Sequence, residues 1–288
     1  MRELLLLSGQ HRTPRLNGVL GSLLAFNAGA VNAGGFLVVA MYTSHMSGFV
    51  AMLADNLVLG QMTLVLAAFG ALLFFVSGAA TTALLVNAAR RHQLRSEYAL
   101  PLAIEAVLML LFGLLGGFLL HHRTPFALPV IVPLLAFIMG LQNALMSKAS
   151  SSLIRTTHMT GVITDLGIEF GKMLYWNRAE VPGRHVAANR GRLQLLGAIL
   201  GMFFLGGLYG AVGFQYVGFV CIVPLAVILL LLSLPPLLGD IRRYGVWQLL
   251  MAARPRRAQP LDLIPKEGAP NAPTTPETKP PDANPPFP

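Results

Sequence analysis

The sequence has little charge. Asp, Glu, Lys and Arg together make up 11% of its 288 residues, whereas soluble domains carry about a quarter. None of the four occurs for 39 residues after Arg15, 34 after Asp55, 17 after Glu105, 24 after Arg123 and 47 after Arg192. One bilayer crossing needs about 20 apolar residues, so these gaps exclude a soluble enzyme. Cysteine is almost missing, and Cys221 alone excludes a disulfide scaffold. The short alternating segments of a β-barrel are missing too. There is no nucleotide-binding glycine loop, no His-Glu-x-x-His and no nucleophile elbow. No His, Cys or acid cluster has metal-ligand spacing. The chain is therefore read as a non-enzyme with no metal and no cofactor.

What is present is apolar. Hydrophobic residues make up 55% of the chain and the mean hydropathy is +0.64. The reading is an all-α polytopic membrane protein whose partner is the lipid bilayer. The net charge of +9 sits in short loops and tails, as the positive-inside rule requires, and not in a nucleic-acid footprint. Six segments are long enough to cross: 17–41, 62–88, 98–120, 127–148, 191–213 and 216–238. The last gap would make one helix of about 70 Å, so it folds back, and the expected turn is 210–214.

Two shorter stretches, 46–60 and 159–175, carry Asp55 and the pair Asp165 and Glu169. If the first crossed, the basic loop at 90–95 would lie outside, against positive-inside. Both are read as re-entrant or broken helices. This gives six spans with both termini cytoplasmic. His121-His122-Arg123 is the one loop that runs against the rule. The expected organisation is a cytoplasmic segment at 1–15, membrane repeats at 16–125 and 126–240, and a basic, Pro-rich, disordered tail at 241–288.

The repeats rest on two matches. Thr43-Ser44-His45-Met46-Ser47-Gly48 resembles Thr156-Thr157-His158-Met159-Thr160-Gly161, and Gly29-x-x-Asn32-Ala33 resembles Gly140-x-x-Asn143-Ala144. Each half, about 110 residues long, holds three spans, an odd number, so the second is inserted upside down. Inverted repeats with discontinuous helices characterise many secondary transporters. The expected function is transport of a small, anionic solute at the two broken helices; the alternative is a non-transporting scaffold or complex subunit.

Candidate substrate residues follow from that pattern. Asn32 and Asn143 are repeat-related polar groups inside spans. His45 and His158 stand at the breaks, where imidazole can donate and accept. Ser47, Thr157 and Thr160 supply hydroxyls, and Thr156, Thr157 or Thr160 is expected to cap the helix start. Gly48 and Gly161 permit close approach. Asp165 lies one turn from Glu169. Glu105, inside a span, is the candidate coupling acid, since intramembrane acids usually face a bundle interior or cavity. Two helix starts with partial positive charge could meet near the midplane in one shared pocket. Oligomeric state is not specified by any of these signals.

At these residues, from about Leu16 to Gly239, the chain resembles the YoaK family, a group of bacterial inner-membrane proteins of unknown function. The most specific piece is Gly140-Leu141-Gln142-Asn143-Ala144 followed by Arg155 to Gly161 and Thr164-Asp165-Leu166-Gly167. In the first half the family pattern looks like Gly-x-Val-Asp-Ala, then His-Met-Thr-Gly-Asn. Here Asn32 stands where the pattern has Asp, and Phe49 where it has Asn. The resemblance implies about six spans and supplies no substrate.

Overall fold

The computed structural model describes residues 14–121, 127–176 and 186–244. These form eight α-helices: α1 (Pro14–Val39), α2 (Met46–Val58), α3 (Met62–Arg91), α4 (Ala99–His121), α5 (Ala127–Ala149), α6 (Met159–Leu174), α7 (Arg190–Tyr216) and α8 (Ile222–Tyr244). A 3-10 turn, Gly218–Cys221, precedes α8. Six of the helices, α1, α3, α4, α5, α7 and α8, are long and apolar enough to cross a bilayer. The chain is an all-α polytopic membrane protein with two short extra helices. The calls on 1–13, on His122 and Arg123, and on 245–288 lie outside the described residues.

Contacts along the helices fix their directions. Asn17 Nδ2 donates to the Ala149 carbonyl at 3.2 Å, and Gln142 Nε2 to the Leu24 carbonyl at 2.5 Å. The start of α1 therefore meets the end of α5, and the two are antiparallel. α7 runs parallel to α1, because Gly18 faces Leu195, Gly29 faces Phe203 and Gly34 faces Phe214. α3 runs parallel to α5: Gly140 faces Phe75, Thr82 Oγ1 donates to the Leu141 carbonyl at 2.9 Å, and Lys148 Nζ donates to Asn87 Oδ1 at 2.9 Å.

It follows that α3 is antiparallel to α1. A full crossing by α2 would have made them parallel, so α2 returns the chain to the side on which α1 ended. The same reasoning makes α7 antiparallel to α5, and α6 likewise does not cross. Helix α5 is the counterpart of α1 and points the other way, so the halves are inverted.

The packing repeats this symmetry. Phe-x-x-Gly occurs at Phe26–Gly29 on α1, Phe75–Gly78 on α3, Phe137–Gly140 on α5 and Phe203–Gly206 on α7. A Cβ on Gly29 would stand 2.0 Å from the Phe203 oxygen, and one on Gly206 1.9 Å from that of Phe26. The other crossing is its image: Gly140 meets the Phe75 oxygen at 2.0 Å and Gly78 that of Phe137 at 2.1 Å. Small residues bring membrane helices together where hydrophobicity alone gives no drive. In their most apolar stretches α1 and α5 are 67% and 61% buried, against 17% for α3 and 22% for α7. α1 and α5 are thus the central pair, and the outer pair presents Leu66, Val76, Phe204 and Val212 outward.

The expected turn at 210–214 is corrected. α7 continues to Tyr216, and the chain turns at Gly218, where φ is +76°. Gly210 and Gly213 serve packing instead. A Cβ on Gly210 would meet the Ala30 oxygen at 2.2 Å, and one on Gly213 would meet the Cys221 side chain.

At one end of the bundle, polar contacts tie the α3–α4 turn to its neighbours. Arg90 pairs with Glu97 and donates to Tyr98 Oη at 2.6 Å. The Ser96 N–H donates to Asp240 Oδ2 at 2.7 Å, which holds the start of α4 against the end of α8.

Candidate functional site: two equivalent helix breaks

Each half breaks after its first helix, and in the same way. Ala40 and Ser151 occupy equivalent positions and both adopt left-handed backbone, with φ of 54° and 51°. Side chains other than glycine rarely do so. The chain then bonds back to the helix it left. Ser44 Oγ donates to Asn32 Oδ1 at 2.9 Å, and Thr157 Oγ1 donates to Asn143 Oδ1 at 2.6 Å. The first pair is reinforced by the Ser44 N–H, at 3.2 Å from the same oxygen. Asn32 and Asn143 are thus anchors for the returning chain.

The next helix begins without a side-chain cap in both halves. His45 and His158 hold the N-cap positions, with neither imidazole capping. The expected threonine cap is corrected, because Thr157 is committed to Asn143 and Thr160 stands inside the first turn. Each imidazole folds over the glycine three residues on. A Cβ on Gly48 would lie 2.3 Å from His45 Cδ2, and one on Gly161 2.5 Å from His158 Nδ1. The glycines of the motif are seats for the rings.

Thr43 and Thr156, again equivalent, are fully buried, and neither hydroxyl has a hydrogen-bond partner among the described residues. Burying a hydroxyl without a partner costs about 1–3 kcal/mol. Thr43 was not among the residues singled out. Its signal was its place in the matched hexapeptides.

The two breaks open into different cavities. His45 and Gly48 line a small one of about 140 Å³ with Met41, Tyr42, Phe49 and Met52. His158, Thr160, Gly161 and Asp165 line one of about 740 Å³ between α6 and α7, which also receives Arg155 and Arg192. The cavities share no lining residue, so the single shared pocket is replaced by one cavity at each break. Ser47 belongs to the first turn of α2.

The larger cavity has charged side chains among its lining. An Arg155 guanidinium nitrogen lies 3.3 Å from His158 Nδ1, and Arg192 pairs with Asp165 at 2.9 Å. Below them Glu169 is buried, accepting from Lys172 Nζ at 2.9 Å and from the Asn189 N–H at 2.8 Å. The lysine and this N–H hold its carboxyl below the usual carboxylate range. Among the described residues no three His, Cys, Asp or Glu side chains are grouped to hold a metal.

Glu105 lies elsewhere, in the core between α4, α1 and α5. It is fully buried, and its Oε1 accepts from Asn27 Nδ2 at 2.9 Å. The same nitrogen lies 3.3 Å from Gln142 Oε1 and 3.5 Å from the Met109 sulfur. Asn27 and Gln142 were not legible as site residues, because a single amide in an apolar run says nothing of its partner.

A family described as a protein of unknown function (DUF1275) matches residues 20–234. The chain belongs to that family. It is also 25% identical, over 158 residues, to the UPF0700 transmembrane protein YoaK of Bacillus subtilis (strain 168), a match covering 54% of this chain and 68% of that protein. No solved structure matches. The protein is a multi-pass bacterial inner-membrane protein of the YoaK family.

Its two departures from the family pattern have local readings. Asn32 retains the oxygen that accepts from Ser44 while removing a charge. Phe49 is buried against Ala68, Ala71 and Ala136, which makes that wall of the α2 start apolar.

Proposed function

We propose that this protein is a secondary transporter or permease for a small anionic solute, with its sites at the two helix breaks. One observation carries the reading. Two inverted halves break at equivalent residues, and among the described residues neither break supplies a hydrogen-bond partner for the hydroxyl it buries. Discontinuous helices at repeat-related positions are the recurring site architecture of secondary transporters. Irregular backbone at membrane depth is tolerated where protein buries it or water reaches it.

The charge of the solute follows from the α6 side. Uncapped N–H groups and the helix dipole favour an anion there, and Arg155, His158 and Arg192 surround the same cavity. Arg192 is shared between Asp165 and the approach to Glu169 at 3.8 Å, so a solute anion would compete with Asp165 for it. No covalent step is involved, and the driving energy is an ion gradient.

The test does not need the solute. In a Cys221→Ser background, single cysteines at Asn143, Thr157, His158 and Asp165 are treated with water-soluble thiol reagents in membranes. Labelling at Thr157, His158 and Asp165 is expected. Complete protection of all four in folded protein overturns the reading in favour of a packed scaffold. Flux of a panel of small carboxylates and inorganic phosphate into proteoliposomes then identifies the solute.

A further inference from the structure

We propose that Glu105 binds a proton, as a neutral carboxylic acid facing Asn27 in the closed bundle. Glu105 Oε2 and Asn27 Oδ1 are both fully buried, and neither has a hydrogen-bond partner among the described residues. They belong to side chains already joined through their other ends, Asn27 Nδ2 donating to Glu105 Oε1 at 2.9 Å. With Glu105 ionised, both orphans are acceptors and neither can satisfy the other. One proton on Oε2 makes it a donor, and Asn27 Oδ1 is the buried acceptor on the side chain beside it. Acid and amide then match in both directions.

No cation competes for the role. Between their ends, α1, α3, α5, α7 and α8 carry no Lys or Arg, and no Asp or Glu. Several of the groups at the ends have other engagements. Asp240 of α8 accepts from the Ser96 N–H, Arg90 of α3 pairs with Glu97, and Lys148 of α5 donates to Asn87. Arg15 opens α1, Arg242 and Arg243 close α8, and Cys221 and Tyr209 meet each other at the far end of α4. Asn27, which donates to Glu105, lies in turn against Gln142 and Met109, and all three are neutral. Gln142 is itself spent on the Leu24 carbonyl. An uncompensated carboxylate in such a place is among the costliest groups a protein can bury. A proton removes the charge and occupies the orphan pair together.

The site also has a place to communicate. Asn27 lies next to Phe26 and two residues before Gly29, within the α1–α7 close contact, and it borders a cavity of about 220 Å³ between α1, α7 and α8. That this proton is the coupling ion rests on the transport reading above. That it is bound does not.

The full chain, reconstituted in lipid, is examined by infrared spectroscopy at neutral pH as wild type and as Glu105→Gln. A protonated-carboxyl C=O stretch, shifted in deuterated water and lost in the variant, is expected. In wild type alone the band should be present at neutral pH and shift in deuterated water, a readout that stands if the variant fails to fold. A Glu105 carboxylate at neutral pH overturns the proposal. So does a rise in melting temperature with sodium over choline that Glu105→Gln abolishes, because the occupant would then be a metal cation. If the acid band is present and an imposed pH gradient drives no flux of the carboxylate and phosphate panel, the proton site stands and the transport reading falls.

Discussion

The Cα of Gly29 faces the carbonyl oxygen of Phe203 so closely that a Cβ would stand 2.0 Å away. In the inverted half, Gly140 holds the same relation to Phe75. Two helix crossings that share no residue have therefore kept one geometry, glycine against backbone on both sides. The duplication is written into the load of the bundle as well as into its motifs, because the central pair is clamped by equivalent contacts on opposite flanks.

Gly29→Ala and Gly140→Ala should each lower the melting temperature in detergent. The obstacle is backbone, which cannot swing aside as a side chain can. Overpacking of this kind costs about 1–3 kcal/mol. Gly70→Ala and Gly197→Ala are the controls, since a Cβ at either meets nothing within 4 Å. Equal melting temperatures for all four variants would refute the clamp.

The two hydroxyl–amide anchors should differ in strength. Thr157→Val removes the one donor shown for Asn143 Oδ1, while Ser44→Ala leaves Asn32 Oδ1 with the Ser44 N–H. Leaving a fully buried acceptor unmet costs about 1–3 kcal/mol, and the half-buried Asn143 falls at the low end of that range. Thr157→Val is expected to cost more than Ser44→Ala, and Asn143→Ala should add little to Thr157→Val. Additive losses in that double-mutant cycle would show that the two side chains do not act together.

The spans were legible because charge is excluded from them. Readings of 62–88 and 98–120 compare with helices at Met62–Arg91 and Ala99–His121. The broken helices were legible from loop charge and from the matched hexapeptides. The α7–α8 turn was misplaced because glycine marks both turns and close packing, and Gly210 and Gly213 are used for packing. The four Phe-x-x-Gly repeats were visible in the sequence but silent, since their meaning depends on which helices cross. The Asn27–Glu105 pair spans 78 positions and Asn27–Gln142 spans 115. No local pattern ties residues that far apart, so Glu105 could be suspected while its partners could not.

Acid should weaken the α6–α7 contact through Glu169. Its carboxyl titrates below the ordinary range because Lys172 and the Asn189 N–H favour the charged form. The unfolded chain therefore binds the proton more readily, and stability rises with pH across that interval. The contribution is complete above the ordinary Glu value and is lost as pH falls through the lowered folded one. Melting temperature measured from neutral pH down to about pH 3 should fall less steeply in Glu169→Gln than in wild type. Parallel curves would mean that the Lys172–Glu169 pair adds nothing.

The direction of α3 makes the sharpest prediction about sidedness. Its 30 residues make a helix of about 45 Å, long enough to put Gly60 and Gln93 on opposite faces of the membrane. The antiparallel course of α5 and α7 places Trp176, between α6 and α7, on the face where α5 ends, and Lys148 bonded to Asn87 puts that face at the end of α3. In intact cells of a Cys221→Ser background, a cysteine at Gly60 should react with an impermeant reagent. Cysteines at Gln93 and Trp176 should react only after permeabilisation. That pattern places the basic 90–95 loop in the cytoplasm. Labelling of Gln93 from outside would require α2 to cross or the whole bundle to be reversed, and a cysteine at Arg15, at the start of α1, separates the two. Protected Arg15 would mean that α2 crosses, which breaks the inverted repeat. Labelled Arg15 with protected Gly60 would mean that the repeat stands with its faces exchanged.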